Sequence, residues 1–293
     1  MKRITINIQK VYLLSFFILL MSCETDVTND IDLPAAPKRL VIEGGVERNR
    51  ENLNQKQKIR LTTTANYLSD ENVEVIKDAT VVITDGLTTY DLVYTADGYY
   101  ETDELTPKIN KEYKISINWK GEVYEGSDKL NEVPSFDRFY YEFEEETIFT
   151  DEGYFIKFDC TDPAGVENYY YYRIFVNGVF TIVPDPGNNM TLVESDEFFD
   201  GQKRIGINPN EEVSFVPGEI ATAQQLGISK AYYKYLYQLF VQTGNQGMSF
   251  VGNPPPASIR SNIVNLTNKD NRPLGYFYAT DVVTDTILIE ELK

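Results

Sequence analysis

The densest group of side chains that could carry acid–base chemistry is a run of glutamates: Glu142, Glu144, Glu145 and Glu146. Paired carboxylates cleave glycosidic bonds in most glycoside hydrolases. The run continues an alternation of aromatic and polar residues that begins at Phe139, and such alternation predicts a β-strand. It places Glu142, Glu144 and Glu146 on one strand face, which is typical of a solvated edge, so we do not expect catalysis there.

Other catalytic side chains are scarce. The chain has no histidine, which removes the usual general base, the Ser-His and Cys-His arrangements and the commonest zinc ligand. Cys160 ends the alternating segment Tyr154–Cys160, which predicts a small residue in a strand rather than a reactive thiol. Phosphate-binding loops and the Gly-x-Ser-x-Gly pattern are also missing from the sequence. We therefore predict that the chain is not an enzyme and uses no cofactor.

Two short segments are rich in oxygen ligands. Asp185–Asn189 reads DPGNN and Asn268–Asn271 reads NKDN. Neither has the ligand spacing of a complete calcium loop, and both have the composition of turns. The sequence therefore predicts no metal site.

The covalent chemistry that the sequence favours is acylation of Cys23. Basic residues open the chain, and Val11–Met21 is an apolar run of 11 residues interrupted only by a serine. This length is typical of a signal-peptide core and is shorter than the roughly 20 residues that span a bilayer. Leu20–Cys23 resembles a bacterial lipobox, whose cysteine is acylated and becomes the new N-terminus. We predict a lipoprotein signal peptide at residues 1–22; the alternative is an ordinary secretory signal with a coincidental cysteine.

The residues that follow are expected to be an acidic tether, residues 23–37, which contains Pro34 and Pro37. Its acidic positions resemble the export signal that takes Bacteroidetes lipoproteins to the outer face of the outer membrane. The formal net charge of the whole chain is −18. Such a chain should repel nucleic acid and anionic membrane surfaces, so we expect no nucleic-acid partner and a domain that stands off from the membrane.

Tyrosine is abundant, with 21 residues, and aromatic surfaces often bind ligands or proteins. The segments 169–172 and 232–237 concentrate these rings. If the chain binds a ligand or partner, we predict contacts from Tyr169, Tyr170, Tyr171, Tyr172, Tyr233 and Tyr237. The alternative is that the same rings pack in the core.

The elements that would position these residues are mostly short strands. Residues 38–133 alternate with turn signals such as Asp97-Gly98 and Lys120-Gly121, which predicts a β-sandwich. Residues 134–293 predict a second antiparallel β domain, either a sandwich or a lipocalin-like barrel. A helix is expected near 229–243, with Ser229 as its N-cap and Gly244 as its stop. The fold class is therefore mainly β with one helix.

An ordered set of segments carries a family resemblance. After the lipobox come RLVIEGGV (39–46), DATVVITDG (78–86), DGYYET (97–102) and KEYKISINWKGEVYEG (111–126), then ISKAYYKYLYQL (228–239), PPPASIRSNIVN (254–265) and LGYFYATDV (274–282). The set resembles the DUF4249 family of Bacteroidetes outer-membrane lipoproteins. The first region also looks like an Ig-like or transthyretin-like sandwich, with its A-x-V-x-I-x-D-G pattern.

The resemblance implies a surface or periplasmic lipoprotein that is often encoded beside a TonB-dependent (SusC-like) receptor, and it implies no catalytic residue. We therefore expect a surface-exposed, lipid-anchored outer-membrane protein. Its function would be that of a non-enzymatic accessory or binding subunit of a TonB-dependent transporter, which helps to capture a nutrient. The alternative is a structural, assembly or adhesin-type lipoprotein of the same membrane.

Overall fold

A computed structural model describes residues 37–65, 73–147, 151–182, 192–210, 212–244 and 259–291. Lys38–Ala65 and Asn72–Lys293 form one compact unit. The signal peptide, Cys23 and all of the tether except Pro37 lie outside the described residues, as does the segment 185–189. In the described part the chain is mainly β, with 16 strands and a single long α-helix, which confirms the predicted fold class.

The first seven strands fall where the alternating segments predicted them: β1 Leu40–Asn49, β2 Gln57–Thr63, β3 Thr80–Thr84, β4 Thr89–Tyr94, β5 Tyr99–Thr102, β6 Glu112–Trp119 and β7 Glu122–Lys129. In β6 the residues Tyr113, Ile115, Ile117 and Trp119 are all buried, so the alternation defines the core face. Lys120 and Gly121 both have positive φ in the turn to β7, as a two-residue hairpin requires.

The remaining elements are β8 Phe136–Glu144, β9 Gly153–Thr161, β10 Tyr169–Val176, β11 Val179–Thr181, β12 Val193–Ser195, β13 Lys203–Ile207, β14 Ile220–Gly227, α1 Lys230–Gly244, β15 Ile263–Asn265 and β16 Leu274–Leu288. The predicted N-cap of α1 is confirmed, because Ser229 Oγ accepts the N–H of Tyr232 at 3.1 Å. The last residues of β16, up to Leu288, pair with β14.

The longer sheet joins strands from both predicted domains. Its order is β11-β10-β14-β16-β1-β2-β5-β4-β3-β6-β7-β15, with β12 beside β10, and a second sheet has the order β13-β9-β8. Most neighbours are antiparallel, but β1 and β16 run parallel over nine residue pairs. The predicted boundary between residues 133 and 134 falls between β7 and β8, and it stays a prediction.

The sheet segment β10-β14-β16 is covered on both faces. On one face α1 packs through Tyr232, Leu236 and Phe240. On the other face lie side chains of the three-stranded sheet, including Phe158, whose ring centroid is 5.5 Å from that of Tyr172. The described strands form a sandwich-like arrangement and no closed barrel. The lipocalin-like alternative is therefore wrong for this part of the chain.

Glycines allow the close approach of β1 to its two neighbours. A Cβ on Gly45 would lie 2.0 Å from the carbonyl oxygen of Tyr278, and a Cβ on Gly275 would lie 1.9 Å from that of Ile42. Both distances are far below van der Waals contact, so a side chain at either position would push the strands apart. Gly45 and Gly275 thus permit the β1–β16 pairing. Among the described helices, none has the length and apolar character needed to cross a bilayer.

Candidate binding groove and the positions of the predicted tyrosines

The four tyrosines of β10 are core residues. Tyr169 and Tyr171 lie under α1, while Tyr170 and Tyr172 point to the opposite face, towards the three-stranded sheet. All four are buried, and the hydroxyl groups of Tyr169, Tyr170 and Tyr172 bond Glu167, Asp162 and Glu194. The structure therefore places the predicted cluster on two faces of one strand rather than on one surface.

The helical tyrosines are more accessible. Tyr233 and Tyr237 are half-buried on the flank of α1, with ring centroids 6.2 Å apart. Tyr233 also lies 5.1 Å from the ring of Tyr169. The buried stripe of α1 runs through Tyr232, one position before Tyr233. The two predicted residues thus lie beside the packing face, at the edge of the tyrosine cluster.

An aromatic recess lies on the other flank of α1. It has a volume of about 680 Å³ and lies between α1, β1, β2 and β16. One wall is formed by Tyr232, Tyr235, Leu236, Tyr276 and Tyr278, and the rim carries Glu43, Lys56, Lys58 and Arg60. We call this recess the aromatic groove.

A stack of tyrosine rings forms the aromatic wall. Tyr232 lies parallel to Tyr278, with ring centroids 4.9 Å apart and an interplanar angle of 9°. Tyr276 is 4.8 Å from both Tyr232 and Tyr235. Rings held against one another in this way lose little further freedom when they contact a ligand. Of the four, Tyr235 is a half-buried residue of α1 and Tyr232 and Tyr276 are buried.

A buried ion pair supports the stack from below. Arg173 donates through Nη1 to Glu47 Oε1 at 2.8 Å and through Nη2 to Oε2 at 3.3 Å, and the Tyr278 hydroxyl also donates to Oε1 at 2.9 Å. Burial on its own would raise the pKa of Glu47, but the charge of Arg173 and these hydrogen bonds hold it below the ordinary value. Glu47 is therefore a charged structural support for Tyr278 and not a proton donor at neutral pH.

The rim of the groove carries both signs of charge. Lys56 and Lys58 share Glu101, at 3.3 and 3.2 Å. Arg60 lies 3.6 Å from Glu43, and these pairs are at least partly exposed. A ligand at this rim meets hydrogen-bond donors and acceptors beside ring faces. This combination suits polar molecules with a flat or extended body, such as saccharides and peptides.

The carboxylates considered for catalysis lie elsewhere. Glu142 and Glu144 both bond the ammonium group of Lys157, at 2.7 and 2.8 Å, on the outer face of β8. This is the solvated strand face that the alternation predicted. Cys160 is buried in β9, and its sulfur accepts the side-chain amide of Gln225 at 3.7 Å. Burial raises the pKa of the Cys160 thiol, which suits a packing role.

One acidic cluster was not singled out from the sequence. Oxygens of Asp162, Asp196 and Asp200 lie within 4.8 Å of one another. Donors from the chain already reach them: the Tyr170 hydroxyl and the Gly201 amide bond Asp162, and the Asn168 amide bonds Asp196 at 2.8 Å. Burial and then the neighbouring carboxylates raise the pKa of Asp196. These donors explain the cluster as a corner that ties β9, β10 and the turn before β13 together.

The NKDN segment is a turn, as predicted. Asn268 Oδ1 accepts the amide of Asp270 at 3.2 Å, and Asn265 Oδ1 accepts the amides of Thr267 and Asn268. Asn271 donates to Glu122 at 2.8 Å. The asparagine side chains of this turn are therefore committed to local bonds.

The sequence of the chain matches a family model. Residues 26–286 match the family model described as "Domain of unknown function (DUF4249)". This range covers all but a few of the described residues. No curated protein matches the chain.

Proposed function

The chain belongs to the DUF4249 family, and we propose that it is a lipid-anchored binding protein of the outer membrane that captures a polar ligand in the aromatic groove. The observation that carries the proposal is the stacked tyrosine wall next to a mixed-charge rim. Such sites bind by contact with ring faces and need no reacting group. The proposal is therefore of a non-enzymatic accessory subunit.

The N-terminal sequence supports a lipid anchor. Residues 1–23 combine a short apolar core with a lipobox-like ending at Cys23. Replacing Cys23 by alanine should release the protein from washed outer membranes, because one acylated cysteine would carry all of the hydrocarbon. Retention of Cys23→Ala on the membranes, with full-length wild type as the control, would contradict the anchor.

Ligand capture is tested by a matched pair of helix variants. Tyr235→Ala removes a half-buried ring from the groove wall, whereas Tyr237→Ala removes a half-buried ring of α1 outside that wall. We expect Tyr235→Ala to weaken binding of a saccharide or peptide hit roughly tenfold, and Tyr237→Ala to leave it nearly unchanged. Equal effects of the two variants would remove the groove from the proposal.

We propose a TonB-dependent (SusC-like) transporter as the partner that receives the ligand. A C-terminally tagged protein, isolated from native outer membranes in mild detergent, should bring that transporter with it, as identified by mass spectrometry. A preparation that contains no transporter would remove this partner from the proposal. The binding experiment with Tyr235→Ala would still stand, because it needs only the protein and its ligand.

A structural, assembly or adhesive role is the second candidate. The observation in its favour is the sheet end at β11, where Val179 is 68% and Phe180 is 45% exposed. Exposed apolar side chains on an edge strand favour strand addition by another protein. Stoichiometric recovery of assembly factors in the same pull-down would favour this candidate over ligand capture.

A further inference from the structure

A second recess differs from the rest of the molecule in charge. It has a volume of about 940 Å³ and is lined by Arg39, Arg260, Lys269 and Arg272 together with Ile259, Ile263, Val264, Leu266, Pro273 and Leu274. None of the described residues that line it is acidic, although the chain as a whole has a net charge of −18. We call it the cationic recess.

Within the described part of the chain, the four cations of the recess have no ion-pair partner. Arg39 instead donates through Nε to the backbone carbonyl oxygen of Arg272 at 2.6 Å, which holds the Arg39 side chain against the backbone of Arg272. Four cations on one recess repel one another, so an anion bound there would be favoured.

Apolar groups form the other part of the recess. Val264 and Leu266 are 55% and 52% exposed, at and just beyond the end of β15. Exposed aliphatic side chains beside cations are typical of surfaces that meet the boundary between lipid headgroups and acyl chains.

The recess lies close, along the chain, to the predicted lipid anchor, which favours a membrane as its partner. Arg39 immediately precedes β1 and is 16 residues from Cys23. The acidic tether predicted from the sequence would, as a random coil of that length, have an end-to-end distance of roughly 20–24 Å. An anchor on Cys23 would thus hold the recess within a short distance of the headgroups.

We propose that the cationic recess binds the phosphate groups of lipid headgroups in the membrane that carries the anchor. The inference rests on the anchoring proposed above and adds an orientation to it. Arginine guanidinium groups bind phosphate oxygens in pairs, and a lysine adds a point charge. The acidic remainder of the molecule does not prevent this contact, because salt screens charges beyond about 8 Å at physiological ionic strength. The net charge predicts a domain that stands off from the membrane. Under this proposal, that prediction holds only for the faces of the domain that point away from the recess.

The test uses the chain from Glu24 to Lys293, which keeps every described residue and lacks the anchor. Binding is measured by co-sedimentation with vesicles of phosphatidylglycerol and phosphatidylcholine in equal parts, and with vesicles of phosphatidylcholine alone. We expect binding to the anionic vesicles only. Arg260→Glu with Lys269→Glu should weaken it roughly tenfold or more, given the contribution of each basic residue near an anionic surface.

The matched control changes the same net charge elsewhere. Lys108→Glu with Lys203→Glu replaces two exposed lysines outside the recess and should change binding by less than about twofold, because screening limits distant charges. Equal loss in both double variants would overturn the recess as the site. Arg260→Gln with Lys269→Gln repeats the test without charge reversal, and thermal melting checks that each variant is folded.

Inorganic phosphate separates a lipid surface from a free anion. At constant ionic strength, phosphate should compete only weakly with vesicles, because it brings no second headgroup and no acyl boundary. Tight binding of phosphate without vesicle binding would overturn the lipid assignment, and absence of both would overturn the site. None of these outcomes bears on Cys23, so failure here and failure of the anchor are distinguishable.

Discussion

At the scale of single residues, the Glu47–Arg173 pair near the groove is a contact in which each charge depends on its partner. The two side chains are only 16% and 17% exposed, and their charges stabilise each other in place of water. Removing one partner of such a pair leaves an uncompensated charge. We expect Glu47→Gln to lower the free energy of unfolding by about 3 kcal/mol, measured by urea denaturation.

The control for that prediction is a surface pair. Lys114 and Glu125 lie 2.6 Å apart but are 48% and 28% exposed, so Lys114→Ala should cost less than about 1 kcal/mol. A similar small loss for Glu47→Gln would mean that water reaches Arg173 and that the pair does not support Tyr278.

Asp128 gives a pH dependence of the opposite sign to that of most carboxylates. Burial raises its pKa to about 6, although the amides of Lys129 and Ala279 bond it at 3.0 and 3.2 Å. The unfolded carboxyl has a pKa of about 3.9, so between these values the folded state binds more protons. The free energy of unfolding from this group therefore falls as pH rises through about 6.

Asp128→Asn isolates this contribution. Between about pH 4 and pH 7 the wild type should lose roughly 1–2 kcal/mol relative to the variant, measured by urea denaturation at each pH. Other carboxylates with lowered pKa values, such as Glu47, affect both proteins equally and cancel in the difference. Parallel pH profiles for the two proteins would show that the pKa of Asp128 is the same in the folded and unfolded states.

At the scale of elements, the hairpin between β6 and β7 allows the cost of backbone strain to be measured apart from the cost of lost packing. Gly121 has a φ of +78°, and an added Cβ would meet nothing within 4 Å. Gly121→Ala should therefore cost about 1 kcal/mol through the backbone alone. Gly121→Asn should cost less, because asparagine tolerates positive φ. Equal losses in thermal or urea unfolding would point to a contact that the turn geometry does not include.

The same hairpin shows what local sequence can predict. The alternation of β6, the turn at Lys120-Gly121 and the cap at Ser229 depend on neighbours within a few positions, and each was predicted from the sequence. The aromatic groove was not, because its wall combines α1 with β16, and its rim comes from β1, β2 and β5. The four successive tyrosines of β10 were predicted as binding residues. Because successive residues of a strand point to opposite faces of the sheet, they pack in the core on both faces instead.

At the scale of the whole molecule, the parallel pairing of β1 with β16 could not be predicted from local sequence patterns. Arg48 and Asp281, which form an ion pair across these two strands, are 233 positions apart in the sequence. Parallel strands are not joined by a short turn, so no turn sequence indicates the pairing. The sequence predicts a division between residues 133 and 134. The sheet joins the two regions through the β1–β16 pairing, so we expect their stabilities to be coupled.

Asp281 allows this coupling to be measured. It is fully buried, and its carboxylate bonds Arg48 at 2.8 Å, Arg50 at 2.5 Å and the amide of Val133 at 3.2 Å. Asp281→Ala leaves two arginines without their partner and should cost about 3–5 kcal/mol. The chain has one tryptophan, Trp119, in β6. Its fluorescence reports unfolding of the first region, while far-ultraviolet circular dichroism reports all the strands.

We expect the two signals to change at the same urea concentration in the wild type, and both to move by the same amount in Asp281→Ala. A coincident shift means that a substitution in β16 destabilises the strand that holds Trp119, as a continuous sheet requires. A fluorescence transition that stays in place while the circular dichroism transition moves would mean that residues 38–133 fold independently. The division predicted from the sequence would then describe two folding units, and the β1–β16 pairing would be a contact between them.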